Sequence, residues 1–296
     1  MARICLLGGG GFIGRSVAEA LVERAHAVII PTRRREWTKR NLLMLPTVEV
    51  VDADIHDDAT LDRLFAGCDA VINLVGILHS KPGQPYGRDF ERVHVALVKR
   101  IVAACEKNGV RRLLHMSALG AAADAPSEYL RSKAAGAAIV LGAAGRLDVT
   151  VFRPSVVFGR DDAFLNVFAG RLPGGSSASM MRQLMVLAQR FLWFVPLPGA
   201  QAKMQPVYVE DVAAAFVRAL FDDASFGKSY DLVGPKVYTL AELVHMARKL
   251  SGCSVPILPL GRRLGLLQAW FMELAPGELL SRDNVRSLSV DSVSNE

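Results

Sequence analysis

A glycine-rich turn near the start of the chain constrains the fold more than any other feature. Glycines occupy positions 8–11 and 14, directly after an apolar run at residues 4–7 and at the start of a helical pattern. In this order of strand, loop and helix, glycine lets backbone N–H groups approach a phosphate, and the helix N-terminus adds partial positive charge. We therefore expect a pyrophosphate to bind at Gly8, Gly11, Phe12, Ile13 and Gly14.

Short apolar runs alternate with longer helical patterns along the first half of the chain. The predicted strands are residues 4–7, 28–30, 48–51, 70–74, 113–116 and 149–152, and the predicted helices are residues 13–24, 61–65, 90–107 and 128–141. This alternation predicts an α/β fold with a Rossmann-type, doubly wound parallel sheet. After Pro154 the pattern loosens. We expect a dinucleotide-binding domain at 1–154 and a smaller C-terminal α/β substrate lobe at 155–296, interleaved with the sheet and not independent of it.

Composition excludes several classes of protein. The chain has 35 basic and 29 acidic residues, and its net charge is +6. No basic stripe interleaved with aromatic residues accompanies this charge, so we expect no nucleic-acid partner. The four cysteines stand singly without a histidine cluster, so we expect no metal site. With neither an export signal nor a membrane-spanning segment expected, the predicted location is the cytoplasm, either free or peripheral at the inner face of the membrane.

The spacing of Gly8, Gly11 and Gly14 resembles that of the extended and atypical short-chain dehydrogenases/reductases, which include NAD-dependent epimerases and dehydratases. The resemblance covers nearly the whole chain. Members that use NAD carry an acidic residue after the second strand, where this chain has Arg33 and Arg34. This difference implies that NADP(H) is preferred and NAD(H) is the alternative, because a guanidinium group pairs with the ribose 2′-phosphate. Alternatively, the arginines form only a solvated strand end.

Other segments match the cofactor site of this family. Asp54 and Ile55 follow the third strand and resemble the element that contacts adenine, although Asp54 is also a candidate cap for the next helix. The resemblance places Leu74, Val75 and Gly76 beneath the ribose. It places Pro154, Ser155 and Val156 against the nicotinamide.

Tyr129 and Lys133 lie four residues apart on a predicted helix, so their side chains share one face. A lysine ammonium near a phenol stabilises the phenolate, which lets tyrosine act as a general acid or base during hydride transfer. The resemblance makes them the catalytic pair, with Ser117 or its neighbour Ala118 beside the substrate oxygen, and we also count Lys133 among the cofactor-binding residues. The alternative is a tyrosine that packs on the helix and a solvated lysine. His94 is expected to be structural.

Residues 71–78, 115–120, 129–133 and 153–159 look like the branch of the family that contains the nucleotide-binding accessory subunit of respiratory complex I. Two classes of function follow. The first is an NADP(H)-dependent oxidoreductase or epimerase, whose partners are a dinucleotide and a small carbonyl or alcohol substrate. The second is a non-catalytic NADPH-binding accessory or assembly protein, which adds contact with a respiratory complex or a membrane.

Two apolar stretches lie in the second half of the chain. Residues 180–194 suit either a hydrophobic substrate or packing in a core or lid. Residues 262–274 place five large apolar side chains on one helical face, namely Leu264, Leu267, Trp270, Phe271 and Leu274. This second face either lies on a membrane or partner or packs against its own lobe.

Overall fold

The computed structural model describes residues 1–33, 36, 38, 42, 45–162, 165–168, 194–252, 256–274 and 280–294. Arg34 and the apolar residues 180–193 lie outside the described residues. All other predicted site residues lie within them.

Strands and helices alternate along the chain as the sequence predicts. The strands are β1 (Arg3–Leu7), β2 (Ala27–Thr32), β3 (Val48–Asp52), β4 (Ala70–Asn73), β5 (Arg112–Met116), β6 (Asp148–Pro154), β7 (Val157–Phe158), β8 (Val195–Pro198), β9 (Lys203–Met204), β10 (Val207–Tyr208), β11 (Lys228–Leu232), β12 (Tyr238–Thr239) and β13 (Ile257–Leu260). The helices are α1 (Phe12–Glu23), α2 (Asp58–Phe65), α3 (Arg88–Phe90), α4 (Leu97–Asn108), α5 (Glu128–Leu141), α6 (Leu165–Phe168), α7 (Val209–Ala219), α8 (Leu240–Leu250), α9 (Arg262–Glu273) and α10 (Arg282–Ser287). A π-helical turn, Glu91–Ala96, joins α3 to α4.

Seven parallel strands form the central sheet in the order β11-β6-β5-β4-β1-β2-β3. The order reverses at β1, which pairs with β2 on one side and with β4 on the other. In such sheets, ligands bind beyond the carboxyl ends of the strands at this reversal. The glycine turn follows β1 directly and therefore lies at this position. The predicted Rossmann-type fold is confirmed.

The sheet strands are apolar because helices cover both faces of the sheet. Along β1, Ile4 and Leu6 belong to one core cluster, whereas Cys5 and Leu7 belong to the other. Helices α1 and α7 pack together on the first face, and α2, α4 and α5 cover the second. The two cores hold the carboxyl edge of the sheet in place.

A smaller cluster forms the core of the second half of the chain. Leu197, Ala202 and Met204 pack there against Leu240 and Val244 of α8. Strand β13 pairs with β8, and β12 pairs with β9. Between these segments the chain returns to the main sheet through α7 and β11. The lobe is therefore interleaved with the sheet, and a boundary at residue 154 stays a prediction.

Candidate functional site

The glycine turn packs too closely for side chains. Gly8 has a φ of +83°, a conformation that L side chains rarely adopt, and an added Cβ there would lie 3.1 Å from the carbonyl carbon of Leu74. An added Cβ at Gly14 would collide with the Gly8 carbonyl oxygen and would lie 2.6 Å from Gly9 Cα. Glycine at positions 8 and 14 therefore lets β1, its turn and α1 meet directly.

The N-terminus of α1 is open to an anion. Its N-cap is Gly11, no side chain caps it, and its first turn contains no acidic residue. The first helical N–H groups, those of Phe12, Ile13 and Gly14, have no partner within a helix by geometry. The N–H groups of the first helical turn and the helix dipole together favour a phosphate at this position. The residues present therefore fit the pyrophosphate of a dinucleotide.

Arg33 and Asp54 emerge from neighbouring strands at the same edge of the sheet. Thr32, the last residue of β2, pairs in register with Asp52, the last residue of β3. Both Arg33 and Asp54 are exposed. The Asp54 carboxylate accepts a hydrogen bond from the backbone N–H of His56 at 3.0 Å. Arg33 and Asp54 thus lie beyond the carboxyl ends of neighbouring strands, and their role at the adenosine end of a dinucleotide stays a prediction.

The cap of the helix after β3 is not Asp54. The N-cap of α2 is Asp57, whose carboxylate accepts the Thr60 backbone N–H at 2.8 Å. Asp54 lies three residues too early to reach the free N–H groups of this helix, so the capping alternative is wrong. Ile55, beside Asp54, packs partly against the core cluster beneath the sheet.

The loop after β4 lies between the glycine turn and the helix that carries Lys133. The Leu74 N–H donates to the Leu7 carbonyl at 3.0 Å, and the Val75 N–H donates to the Asn73 side chain at 3.1 Å. An added Cβ at Gly76 would lie 3.7 Å from Lys133 Nζ. The structure therefore brings the predicted Leu74, Val75 and Gly76 between the phosphate turn and α5.

Lys133 is buried, and its Nζ donates to the Met116 backbone carbonyl at 2.6 Å. Burial lowers the pKa of Lys133 to about 8. An ammonium group with this pKa is still largely protonated at pH 7, so a positive charge lies at the end of β5. The charge faces the Met116 carbonyl oxygen rather than bulk water.

Tyr129 lies one helical turn before Lys133 and is partly buried. Its ring contacts two neighbours, with centroids 6.1 Å from Phe90 and 5.8 Å from His94. Burial raises the pKa of Tyr129 to about 12. The phenol is therefore protonated at neutral pH and suits proton donation better than proton abstraction.

His94 couples the π-helical turn to the start of α5. Its Nε2 accepts the Ile77 N–H at 3.1 Å, so its Nδ1 carries the proton and donates to Ser132 Oγ at 2.8 Å. Ser132 Oγ in turn donates to the Tyr129 carbonyl at 2.8 Å. Burial, reinforced by the charge of Lys133, lowers the pKa of His94 to about 3. A neutral histidine thus holds the turn of helix that carries Tyr129.

Ser117 is turned toward α5. Its hydroxyl is buried and donates to the Lys133 backbone carbonyl at 3.2 Å, and its N–H donates to Phe152 at 2.7 Å. A hydroxyl has a single proton, so Ser117 must break this bond before it can donate to a substrate oxygen. Its role as a substrate donor stays a prediction.

Pro154, Ser155 and Val156 lie where β6 ends, next to the end of β5. The Pro154 carbonyl accepts the Leu119 N–H at 2.9 Å, and the Val156 carbonyl accepts the Val207 N–H at 3.0 Å. The Ser155 hydroxyl donates to the Ser292 backbone carbonyl at 2.7 Å. This last contact brings a distant part of the chain to the predicted nicotinamide end.

Residues 281–294, here called the closing segment, run across the site. The Asp283 carboxylate accepts the backbone N–H groups of Glu128 at 2.7 Å and Tyr129 at 2.9 Å. Val290 packs in a small apolar cluster with Tyr129 and Ala118. The sequence analysis missed these contacts, because Asp283 is 154 positions from Tyr129 and belongs to no motif.

The described residues contain neither a candidate metal site nor a candidate membrane-spanning helix. Within the described part of the chain, no group of three or more His, Cys, Asp or Glu side chains is arranged to hold a metal ion. Likewise, none of the described helices has both the length and the apolar character needed to cross a bilayer.

Comparison with known proteins gives the relatives of the chain. Its match to subunit 9 of the NADH dehydrogenase [ubiquinone] 1 alpha subcomplex, mitochondrial, from Arabidopsis thaliana is 31% identical over 81% of this chain. That match spans 56% of the plant protein, and similar mitochondrial matches span 58% to 62% of theirs, so the chain covers under two thirds of these relatives. A Streptomyces griseus protein, (4-alkanoyl-5-oxo-2,5-dihydrofuran-3-yl)methyl phosphate reductase, is 26% identical over 98% of this chain and 89% of its own length.

Solved structures agree on the fold. UDP-glucuronic acid 4-epimerase from Bacillus cereus, in complex with UDP-glucuronic acid and NAD, superposes with a TM-score of 0.69. The superposition covers 87% of this chain and 86% of that one at 18% identity. The profile of the NAD dependent epimerase/dehydratase family matches residues 4–232, from β1 to the last strand of the main sheet. The chain therefore belongs to the NAD dependent epimerase/dehydratase family.

Proposed function

We propose that this protein is an NADP(H)-dependent oxidoreductase that reduces a carbonyl group with Tyr129 as the proton donor. The observation that carries the proposal is that Tyr129 and Lys133 lie one turn apart on α5, with Lys133 Nζ buried at the end of β5 and next to Gly76. The nicotinamide supplies the hydride when the cofactor is bound. Tyr129, protonated at neutral pH, gives its proton to the substrate oxygen, and the charge of Lys133 stabilises the resulting phenolate.

The proposed dinucleotide site extends along the strand ends. Gly8, Gly11, Phe12, Ile13 and Gly14 bind the pyrophosphate. The remaining residues are assigned in groups: Arg33, Arg34, Asp54 and Ile55 to the adenosine end, Leu74, Val75 and Gly76 to the ribose, and Lys133, Pro154, Ser155 and Val156 to the nicotinamide end. Residues 1–154 supply all of this site except Ser155 and Val156, and residues 155–296 form the substrate lobe.

NADP(H) is the proposed cofactor because the adenosine end is basic. Arg33 directly follows β2, a strand without acidic residues. Burial lowers the pKa of His56, and the charges of Arg92 and Arg33 lower it further against the opposing charge of Asp54. These two arginines favour a 2′-phosphate.

The cofactor assignment is tested by measuring the Kd of NADPH and NADH for the Arg33→Gln variant. NADPH binding should weaken about 10- to 100-fold, because a charge-assisted hydrogen bond is lost, whereas NADH binding should not change. Arg63→Gln, at an exposed arginine on α2, is the matched control. Equal affinity of the wild-type protein for both dinucleotides, or equal losses for both in Arg33→Gln, contradicts the NADP(H) preference.

The reaction is tested in two steps. Mass spectrometry first identifies the small molecule released from freshly purified protein. NADPH oxidation is then followed with a panel of ketones, aldehydes and lactones for the wild type, Tyr129→Phe and, as the matched control, Tyr230→Phe on the outer strand β11. Tyr129→Phe should lower turnover by about 100-fold or more at unchanged NADPH affinity. Turnover that survives in Tyr129→Phe would refute the proton-donor role.

Two kinds of relative bear on the choice of function. The Streptomyces griseus relative that matches almost end to end is named a reductase, which favours reduction over epimerisation. The mitochondrial relatives are named as subunits of NADH dehydrogenase, which favours the second candidate, a non-catalytic NADPH-binding accessory or assembly protein of the respiratory complex I type. The bond from Ser117 to α5 and the Val290 contact with Tyr129 also suit a closed, inert site. Tightly bound NADPH that neither exchanges nor reacts would establish this second candidate.

A further inference from the structure

Helix α9 lies at the surface with its small residues buried and its large apolar residues exposed. The buried positions are the small residues Gly265 and Ala269. The large apolar side chains face outward in a row, here called the apolar stripe, with exposed fractions of 58% for Leu264, 50% for Leu267, 42% for Trp270, 59% for Phe271 and 68% for Leu274. Among the described residues, this face does not pack against its own lobe, which was one of the two expectations from the sequence.

The inner face of α9 is firmly held, so the apolar stripe is a lasting feature of the surface. An added Cβ at Gly265 would lie 2.7 Å from Pro198, which shows how closely the helix lies on β8. Gln268 Nε2 donates to the Pro196 carbonyl at 3.4 Å, and Glu273 pairs with Arg282 of α10 at 2.8 Å. The helix therefore does not need to rotate or unfold to present its apolar side.

The apolar stripe occupies one short helix. The helix has 12 residues, so it is about 18 Å long. A stable interface with a folded protein needs about 800 Å² of accessible surface from each partner, so such a partner would have to cover surface well beyond this helix. A lipid surface has no such minimum, because a single amphipathic helix can bury its apolar face to the depth of the acyl boundary.

The charges around the apolar stripe complement an anionic surface. Arg262 and Arg263 begin the helix and are both exposed. Glu273, the one acidic residue of the helix, is neutralised by its ion pair with Arg282. Trp270 and Phe271 stand edge to face, with ring centroids 4.9 Å apart, and aromatic rings favour the headgroup boundary. We propose that α9 docks this protein on a bilayer that contains anionic lipids, with the apolar stripe inserted and Arg262 and Arg263 on the headgroup phosphates.

The proposal is tested by co-sedimentation of the full chain with vesicles of phosphatidylcholine, alone or mixed with phosphatidylglycerol. The wild type should bind the mixed vesicles more tightly and should lose affinity with added salt. Leu267→Gln/Trp270→Gln should weaken binding by about tenfold or more. Phe221→Gln is the control, because Phe221 is also a large apolar side chain, 62% exposed, and lies just after α7.

The arginines are tested separately. Arg262→Gln/Arg263→Gln should weaken binding to the mixed vesicles by about thirtyfold and leave binding to phosphatidylcholine alone nearly unchanged. Arg218→Gln/Lys228→Gln removes the same charge from exposed positions outside α9 and should have little effect. Circular dichroism confirms that each variant is folded, which is expected because every substituted side chain is exposed.

Three results would overturn the proposal. The first is a wild-type protein that binds neither kind of vesicle. The second is vesicle binding that survives the loss of Leu267 and Trp270. The third is a concentration-dependent dimer, detected by analytical ultracentrifugation, that disappears in the Leu267→Gln/Trp270→Gln variant while vesicles bind neither form. That result would assign the apolar stripe to a second copy of the chain.

Discussion

Replacing Lys133 with methionine should make the protein more stable and less able to function. Lys133 is 5% exposed, and its one described hydrogen bond from Nζ is the bond to the Met116 carbonyl. Burial of its charge lowers the pKa from the usual 10.5 to about 8. Methionine has a similar length and no charge, so Lys133→Met removes the cost of burying an ammonium group while it keeps most of the packing.

The size and pH dependence of this gain follow from the pKa. A pKa lowered by about 2.5 units corresponds to roughly 3 kcal/mol lost from the stability of the native state at pH 7. Loss of the bond to Met116 offsets about 1 kcal/mol, so Lys133→Met should raise the free energy of unfolding by about 2 kcal/mol. Between about pH 8 and pH 10.5 the unfolded wild type binds more protons than the native wild type, so its stability rises with pH. The advantage of the variant should therefore disappear across this range.

The assay is urea unfolding of dinucleotide-free protein at several pH values from 7 to 10.5. Lys99→Met, at an exposed lysine on α4, is the control and should match the wild type throughout. The reasoning is refuted if Lys133→Met is less stable than the wild type at pH 7, or if any gain is the same at every pH. Turnover should fall in the same variant, because a phenolate at Tyr129 would lose the nearby charge.

Three further substitutions test the framework of the site. Arg112→Met should lower the free energy of unfolding by about 3 kcal/mol or more, because buried Arg112 donates to the carbonyls of Asp148, Ala219 and Leu220 and to the hydroxyls of Thr150 and Ser225. In the same urea titration, Arg111→Met at the exposed neighbour should change little. Asp283→Asn should lower the free energy of unfolding by about 1 kcal/mol and lower turnover without changing the Kd of NADPH, because it weakens the cap on the helix of Tyr129. The control is Asp291→Asn, which should leave turnover intact because Asp291 caps no helix. Gly14→Ala should abolish NADPH binding measured by calorimetry through its collision with the glycine turn, whereas Gly261→Ala, with nothing within 4 Å of the added carbon, should bind normally.

Local patterns were sufficient to predict the strands of the sheet and the helix that carries Tyr129 and Lys133. Each of the six strands predicted from apolar runs overlaps one of β1 to β6, and the predicted helix at residues 128–141 has the bounds of α5. The chain order of strand and helix implies a parallel sheet, and a parallel sheet brings all strand ends to one edge. The family resemblance assigns Gly8, Gly76 and Lys133 to one site, and a parallel sheet agrees with this assignment because it brings the ends of their strands to the same edge.

Side-chain direction and long-range contacts could not be predicted in the same way. The capping alternative for Asp54 failed because the choice between two nearby aspartates depends on the exact start of α2. The bond from Ser117 to α5 depends on how closely that helix lies on β5. The His94 link requires the π-helical turn, which no residue pattern marked.

The sequence by itself determined the dinucleotide-binding fold, the glycine turn and the spacing of Tyr129 and Lys133. These features are encoded over a few residues, where backbone geometry and side-chain periodicity act directly. Only the tertiary structure decided that the closing segment lies over Tyr129 and that α9 turns its large side chains outward. Periodicity shows which side chains share a face of a helix. Which face is buried depends on the surface it meets, and here β8 and α10 accept only the small residues Gly265 and Ala269 of α9.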